Sequence, residues 1–231
     1  MNPKDDGGGE RREAMKRRAA ESAVELVDNG DVVGLGTGST AAYAVRTLGE
    51  RVDSGLDVRG VPTSHGSRAL AVEEGVPLVS LDVATPDVAV DGADGFDASL
   101  SLVKGGGAAH AREKVVACSA DRVAIAVDET KETAELGAPV PLEVLDFAVP
   151  RVRERVEALG GEFALRGSAC KDGPVVSDNG NVVADAAFDG YGAPALADEL
   201  DATAGVVEHG LFVGIADEVH VGRPDGVEVL R

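Results

Sequence analysis

The stretch Asp31-Val32-Val33-Gly34-Leu35-Gly36-Thr37-Gly38-Ser39-Thr40 reads as a short apolar strand, a glycine turn and the opening of a helix. Upstream, Met15, Ala19, Ala23 and Val27 recur every four residues, so an amphipathic helix is expected from Glu13 to Asn29-Gly30. Downstream the alternation continues: a helix over 39–48, a strand over 58–61, a helix after Pro62-Thr63-Ser64, strands over 77–81 and 87–90, a helix after Gly107 and a strand over 123–127. Strands alternating with helices predict a parallel sheet with helices on its faces.

The pattern changes after Lys131. A strand over 140–147, a helix over 150–159, a strand over 162–165, a hairpin signal at Asp178-Asn179-Gly180, a strand over 181–187, a helix over 194–202 and a strand over 205–208 spell β-α-β-β-α-β. The fold class is therefore α/β: a Rossmann-like parallel-sheet domain over 13–137 and 210–231, with an inserted smaller α+β domain of ferredoxin-like split βαβ order over 138–209. Residues 1–12 read as a loose tail, and Leu211-Phe212-Val213 and 218–221 are expected to return to the first sheet.

Composition narrows the function. The 231 residues carry 41 Asp and Glu against 22 Lys and Arg, a formal net charge of −19, so a nucleic-acid backbone would be repelled. The densest basic run, Arg11, Arg12, Lys16, Arg17 and Arg18, is interleaved with Glu10 and Glu13 and reads as a solvated helix face. So acidic a surface points to a high-salt cytoplasm. No stretch approaches 18 uncharged apolar residues and the N-terminus has no apolar signal-peptide core, so neither membrane nor export is expected. Two cysteines are too few for a disulfide framework, and Cys118 follows Val115-Val116-Ala117, where a buried thiol is expected. The four histidines, at 65, 110, 209 and 220, lack metal-ligand spacing, and no Gly-x-Ser-x-Gly elbow is present.

Three segments can carry chemistry. In Gly36-Thr37-Gly38-Ser39-Thr40, backbone N–H groups, a helix N-terminus and three hydroxyls suit a phosphate; the same residues also suit a tight turn with Ser39 or Thr40 as helix cap. A dinucleotide fingerprint would want glycine where Ser39 stands. Asp91-Gly92-Ala93-Asp94 puts two carboxylates at the carboxyl end of a strand, where open α/β sheets bind ligands, although an Asp pair is easily met by chance in so acidic a chain. Lys104-Gly105-Gly106-Gly107 precedes a helix and reads as a second anion nest; Lys104, Lys114 and Lys131 are three of only six lysines. Glu113, about two turns into the expected helix, reads by itself as a solvated helix glutamate more readily than as a functional one.

Taken in order with Pro62-Thr63-Ser64, Arg112-Glu113-Lys114, Val127-Asp128-Glu129-Thr130-Lys131, Pro141-Leu142-Glu143-Val144, Asp178-Asn179-Gly180-Asn181 and Gly210-Leu211-Phe212, these motifs resemble ribose-5-phosphate isomerase type A over about residues 13–230. The resemblance implies interconversion of ribose 5-phosphate and ribulose 5-phosphate through an enediolate, with no metal or organic cofactor, in a cytoplasmic homodimer or homotetramer. It implies Glu113 as the general base, Asp91 in ring opening and proton movement between oxygens, and Lys104 stabilising negative charge. Thr37, Gly38, Ser39, Thr40, Asp91, Gly92, Ala93, Asp94, Lys104, Gly105, Gly106, Gly107 and Lys131 are implied as substrate contacts, and Lys16 as a neighbour of the phosphate. Two other readings stay open: a non-catalytic sugar-phosphate sensor, which would not need Glu113 with Lys104, and an amino-sugar phosphate deaminase of similar fold.

Overall fold

The computed structural model describes residues 6–169 and 172–231, so Cys170 and the first five residues of the expected tail lie outside the described residues. The chain divides into two compact units: Met1–Gly92, Val116–Glu132 and Ala216–Arg231 form the first, and Ala93–Val115 and Thr133–Ile215 the second.

The first unit opens on α1 (Asp6–Val24) and is built on a six-stranded sheet. Its strands are β1 (Val32–Leu35), β2 (Arg59–Pro62), β3 (Val88–Asp91), β6 (Arg122–Asp128), β12 (Glu218–Arg223) and β13 (Gly226–Leu230). The order is β13-β12-β6-β3-β1-β2, parallel throughout except for antiparallel β13. Chain order reverses between β1 and β3, because β1 pairs with β2 on one side and β3 on the other. The carboxyl ends beside such a reversal form a natural ligand crevice. Helices α2 (Ser39–Asp53) and α3 (His65–Glu73) follow β1 and β2. The apolar face predicted for α1 is buried, with Met15, Ala19 and Ala23 each at most 4% exposed; the helix ends at Val24 rather than at Asn29-Gly30, and Val27, just past it, is buried as well.

The second unit holds β4 (Gly95–Phe96), β5 (Leu102–Val103), β7 (Val140–Val144), β8 (Glu162–Leu165), β9 (Val182–Ala187), β10 (Val206–His209) and β11 (Leu211–Phe212). Its four-stranded antiparallel sheet has the order β10-β7-β9-β8, with α5 (Val149–Ala158) and α6 (Ala193–Asp201) in the connections. This is the ferredoxin-like order read from the sequence. A second sheet, β11-β5-β4, has three strands of two residues each. Helix α4 (His110–Ser119) begins in the second unit and ends in the first.

Several expectations are corrected. Helix α1 starts at Asp6 rather than Glu13; Arg12 within it donates to Thr130 Oγ1 at 2.8 Å and lies 3.5 Å from Asp128, which ties the early turns to β6. The second unit takes in 93–115 and runs to Ile215, beyond the 138–209 expected. Leu211-Phe212 pairs with β5 in the small sheet instead of the first sheet, whereas 218–221 does join the first sheet. Residues 77–81 contribute one bridge, Leu78 to Gly60, rather than a strand. The hairpin turn at Asp178-Asn179-Gly180, by contrast, is present as expected: Gly180 takes φ +87°, Val176 bridges Val182 antiparallel and Ser177 N–H donates to Asn181 O at 2.9 Å, all within the long β8–β9 connection. Cys118, near the end of α4, is exposed.

Candidate active site

The candidate residues fall into two groups, one in each unit. In the first, β1 ends at Leu35 and the chain turns beside the end of β3. Gly36 is required there because a Cβ would overlap the Asp91 carboxylate. Asp91 is 7% exposed, and its Oδ1 accepts the backbone N–H groups of Thr37 at 3.1 Å and Gly92 at 2.7 Å. The carboxylate thus fixes the glycine loop. Gly38, at φ +111°, holds a conformation that favours glycine and precedes α2, whose N-terminus no side chain caps. The opening N–H groups of α2 are accordingly available to an anion. Thr40 lies beside Gly92, where an added Cβ would meet it at 3.6 Å.

Three hydroxyls line the same turn. Thr37 Oγ1 lies 2.8 Å from both Thr63 Oγ1 and Ser64 Oγ, and Ser64 caps α3 through the Ser67 N–H. Thr63 and Ser64 were noted only as part of a family motif; their place at the carboxyl end of β2 was the signal that they belong to this group. Lys16 Nζ donates to Ser39 Oγ at 3.1 Å and to Glu13 Oε1 at 2.7 Å. Hydrogen bonds from Lys16 and from Tyr43, at 2.9 Å, hold the Glu13 carboxyl below its ordinary range. Lys131 is half-buried in the 3-10 turn Glu129–Lys131, which follows β6 and is capped by Asp128.

In the second unit, Lys104 follows β5 and Glu113 lies in the first turn of α4, not two turns in. Lys104 Nζ is 3.3 Å from Glu113 Oε2, with the side chains 3% and 5% exposed. A glutamate so covered is no solvated helix residue. Lys104 N–H donates to Gly210 O at 2.8 Å, and its ammonium sits 5.4 Å from the centre of the Phe212 ring. Lys114 Nζ lies 5.2 Å from the same ring and is ion-paired with Glu208. Such cation–ring contacts favour keeping a charge in a dry setting.

The triple glycine is shaped by what it abuts. A Cβ on Gly105, at φ +108°, would lie 2.8 Å from His110 Nδ1, and the Gly106 N–H donates to Asp94 Oδ2 at 2.7 Å. Gly106, Gly107 and Asp94 are exposed, and Ala93 is half-buried. His110 is fully buried, and burial pushes it down to about 4, so it is neutral at physiological pH. Its Nε2 lies 3.3 Å from Glu208 O.

Chemically, the second group offers a carboxylate and an ammonium with little competing water, the materials for moving a proton and meeting the negative charge that results. The first offers N–H groups, hydroxyls and Lys16, the materials for holding an anion. Among the described residues the one set of side chains close enough to share a cation is Asp201, Glu208 and His209, outside both groups.

The family described as ribose 5-phosphate isomerase A (phosphoriboisomerase A) matches residues 59–226. A ribose-5-phosphate isomerase A from Natronomonas pharaonis is 59% identical over 218 residues, covering 94% of this chain and 96% of the relative. The solved structure of ribose 5-phosphate isomerase A from Methanocaldococcus jannaschii superposes with a TM-score of 0.93 at 42% identity, covering 95% of this chain and 99% of that one. A D-ribose-5-phosphate isomerase solved in complex with phospho-erythronic acid superposes with a TM-score of 0.92 at 42% identity, covering 94% and 97%.

Proposed function

The chain belongs to the ribose 5-phosphate isomerase A family, and from that premise we propose that it interconverts D-ribose 5-phosphate and D-ribulose 5-phosphate with Glu113 as the proton-moving base. The single observation that carries the role of Glu113 is its buried position 3.3 Å from the Lys104 ammonium. A hydrogen on carbon beside a carbonyl leaves slowly. A positioned carboxylate contributes about 10² to 10⁴ in rate by accepting it.

In the open-chain aldose, Glu113 takes the hydrogen from the second carbon as a proton, and the carbon–hydrogen electron pair forms the double bond of the enediolate. Negative charge then develops on the carbonyl oxygen, where Lys104 stabilises it. Returning the proton to the first carbon yields the ketose. Asp91 assists ring opening and proton exchange between the two oxygens. The two N–H groups on its Oδ1 hold the carboxylate in place for this task. Thr37, Gly38, Ser39 and Thr40 hold the substrate, with Lys16 near its phosphate. Gly92, Ala93, Asp94, Gly105, Gly106, Gly107 and Lys131 supply the remaining contacts.

No metal or organic cofactor enters this scheme. Phospho-erythronic acid in the related structure supports it: a phosphorylated sugar acid carries a planar carboxylate, a shape that an enediolate shares. The same reading places the reaction in the non-oxidative pentose phosphate pathway, in the cytoplasm at high salt, and in a homodimer or homotetramer. The net charge of −19 supports the salt requirement.

The test is Glu113→Gln, nearly isosteric but unable to accept the proton. Turnover is expected to fall at least about 100-fold while substrate affinity changes little. Full turnover in that variant, assayed as ketose formation with a chelator present and KCl varied, would show that another group is the base.

A further inference from the structure

The first turn of α4, which carries Glu113, follows Gly105, Gly106 and Gly107, whose backbone is held by Asp94 at the Gly106 N–H and by Arg166 at the Gly105 and Gly106 carbonyls, and Ala108 takes φ +59°. That hold ends at the glycines, and beyond them the rotation of the turn is set further by side chains that reach out from it. Arg112, the residue beside Glu113, reaches the 178–181 turn. Its Nε donates to Asn179 Oδ1 at 2.7 Å and its Nη2 to Asp178 O at 2.8 Å.

That turn is in turn aimed from beneath by Glu143, which lies in the middle of β7 with none of its surface exposed. Asn179 Nδ2 donates to both Glu143 oxygens, at 3.1 and 3.2 Å, and Asn181 Nδ2 donates to Oε1 at 2.7 Å. Among the described residues no cation pairs with Glu143; these two amides are its side-chain partners. A carboxylate held this deep is costly, and an apolar side chain would serve the sheet better. What the carboxylate adds is direction. With the amide N–H groups of Asn179 drawn to Glu143, its oxygen must face Arg112, and only one of the two amide orientations satisfies both neighbours.

We propose that Glu143, Asn179 and Arg112 form a positioning relay, anion to amide to cation, that fixes the rotation of the α4 first turn and so the aim of the Glu113 carboxylate. The inference rests on the reading of Glu113 as the base. None of the three relay residues need touch substrate. The relay acts on turnover because a displacement of about 1 Å at a reacting group can cost about 100-fold.

The experiment measures kcat, KM and Tm for Arg112→Ala, Glu143→Gln, Asn179→Asp and the double variant Glu143→Gln/Asn179→Asp, with Glu113→Gln as reference. Each relay single is expected to lower kcat about tenfold with KM within about twofold. In Glu143→Gln the new amide faces the Asn179 amide donor to donor; in Asn179→Asp two carboxylates face each other. The double variant removes both conflicts. The amide introduced by Glu143→Gln accepts from Asn181 through its oxygen and donates through its nitrogen to the carboxylate introduced by Asn179→Asp, which still accepts from Arg112. This variant is expected to recover kcat to within about threefold of the parent, a rescue that loss of packing alone would not give.

Parental kcat in Arg112→Ala, or a double variant whose loss is the product of the two single losses, would overturn the relay. Should the Glu143 variants fail to fold, Arg112→Ala decides alone, since that side chain is only half-buried. Full turnover in Glu113→Gln would instead defeat the base assignment, and the relay with it; a dead Glu113→Gln beside fully active relay variants defeats the relay only.

Discussion

The loop after β1 in the first unit and the segment after β5 in the second both leave a strand, run through glycines and open a helix, yet they present different chemistry. The first is held by a carboxylate that accepts its N–H groups, and it offers uncharged donors around Gly36 to Thr40. The second buries formal charges, Lys104 against Glu113, with neutral His110 behind the glycines. Glycine-rich turns between strand and helix are thus not one device. What surrounds the backbone decides whether the turn offers dipoles or positions charges.

The difference can be broken from either side. The largest effect is expected at the buried charge. Lys104→Ala should lower kcat about 100-fold or more, with KM changed far less, because a preorganised cation is worth roughly 3–4 kcal/mol to a developing oxyanion. A variant that lost only affinity would reduce Lys104 to a substrate clamp, and the two regions would then do the same work.

In the dipole-built loop, Gly36→Ala puts a methyl group into the Asp91 carboxylate. Here KM for ribose 5-phosphate should rise about tenfold or more, since the N–H groups held by Asp91 move with it. Unchanged KM and kcat would mean the loop yields without consequence, and its glycine is then a matter of folding alone.

A smaller effect sharpens the claim that the second unit keeps its polar groups dry. The histidine of an unfolded chain titrates near 6.5, whereas burial pushes His110 down to about 4. Between those values the unfolded chain holds the extra proton. Stability is therefore fully present above about pH 6.5 and falls as pH drops toward 4, by at most about 1.4 kcal/mol per pH unit from this residue. Burial pushes His209 and His220 down as well, and they act in the same direction. Urea melts at pH 6 and pH 5 should show a difference that shrinks by about 1 kcal/mol in His110→Leu. An unchanged difference would place the proton uptake elsewhere.

The comparison also explains what the sequence revealed. The β1 loop was legible because strand, glycines and helix are local signals, and the β-α-β-β-α-β order was legible because each of its elements has its own periodicity. The β11-β5-β4 sheet was not, since two-residue strands carry no period and pair only through contacts distant in sequence. For the same reason Leu211-Phe212 was expected in the wrong sheet. Glu113 could be read as solvated until its helix was seen to begin at His110 with Lys104 against the first turn. Glu143 showed in the sequence only as part of a motif. Its burial beneath two amides depends on β7 being an inner strand, which the order of residues along the chain does not state.

Gly222, on β12, lies so close to α1 that a Cβ there would overlap the Met15 carbonyl. The helix thus rests directly on strand backbone, with no side chain as spacer, and the next residue along is Lys16. The height at which that ammonium stands beside Ser39 is consequently set by the thickness of a hydrogen atom at the far end of the chain. A methyl group added at Gly222 would act as a shim, lifting the cation from its seat without touching any residue that meets the sugar.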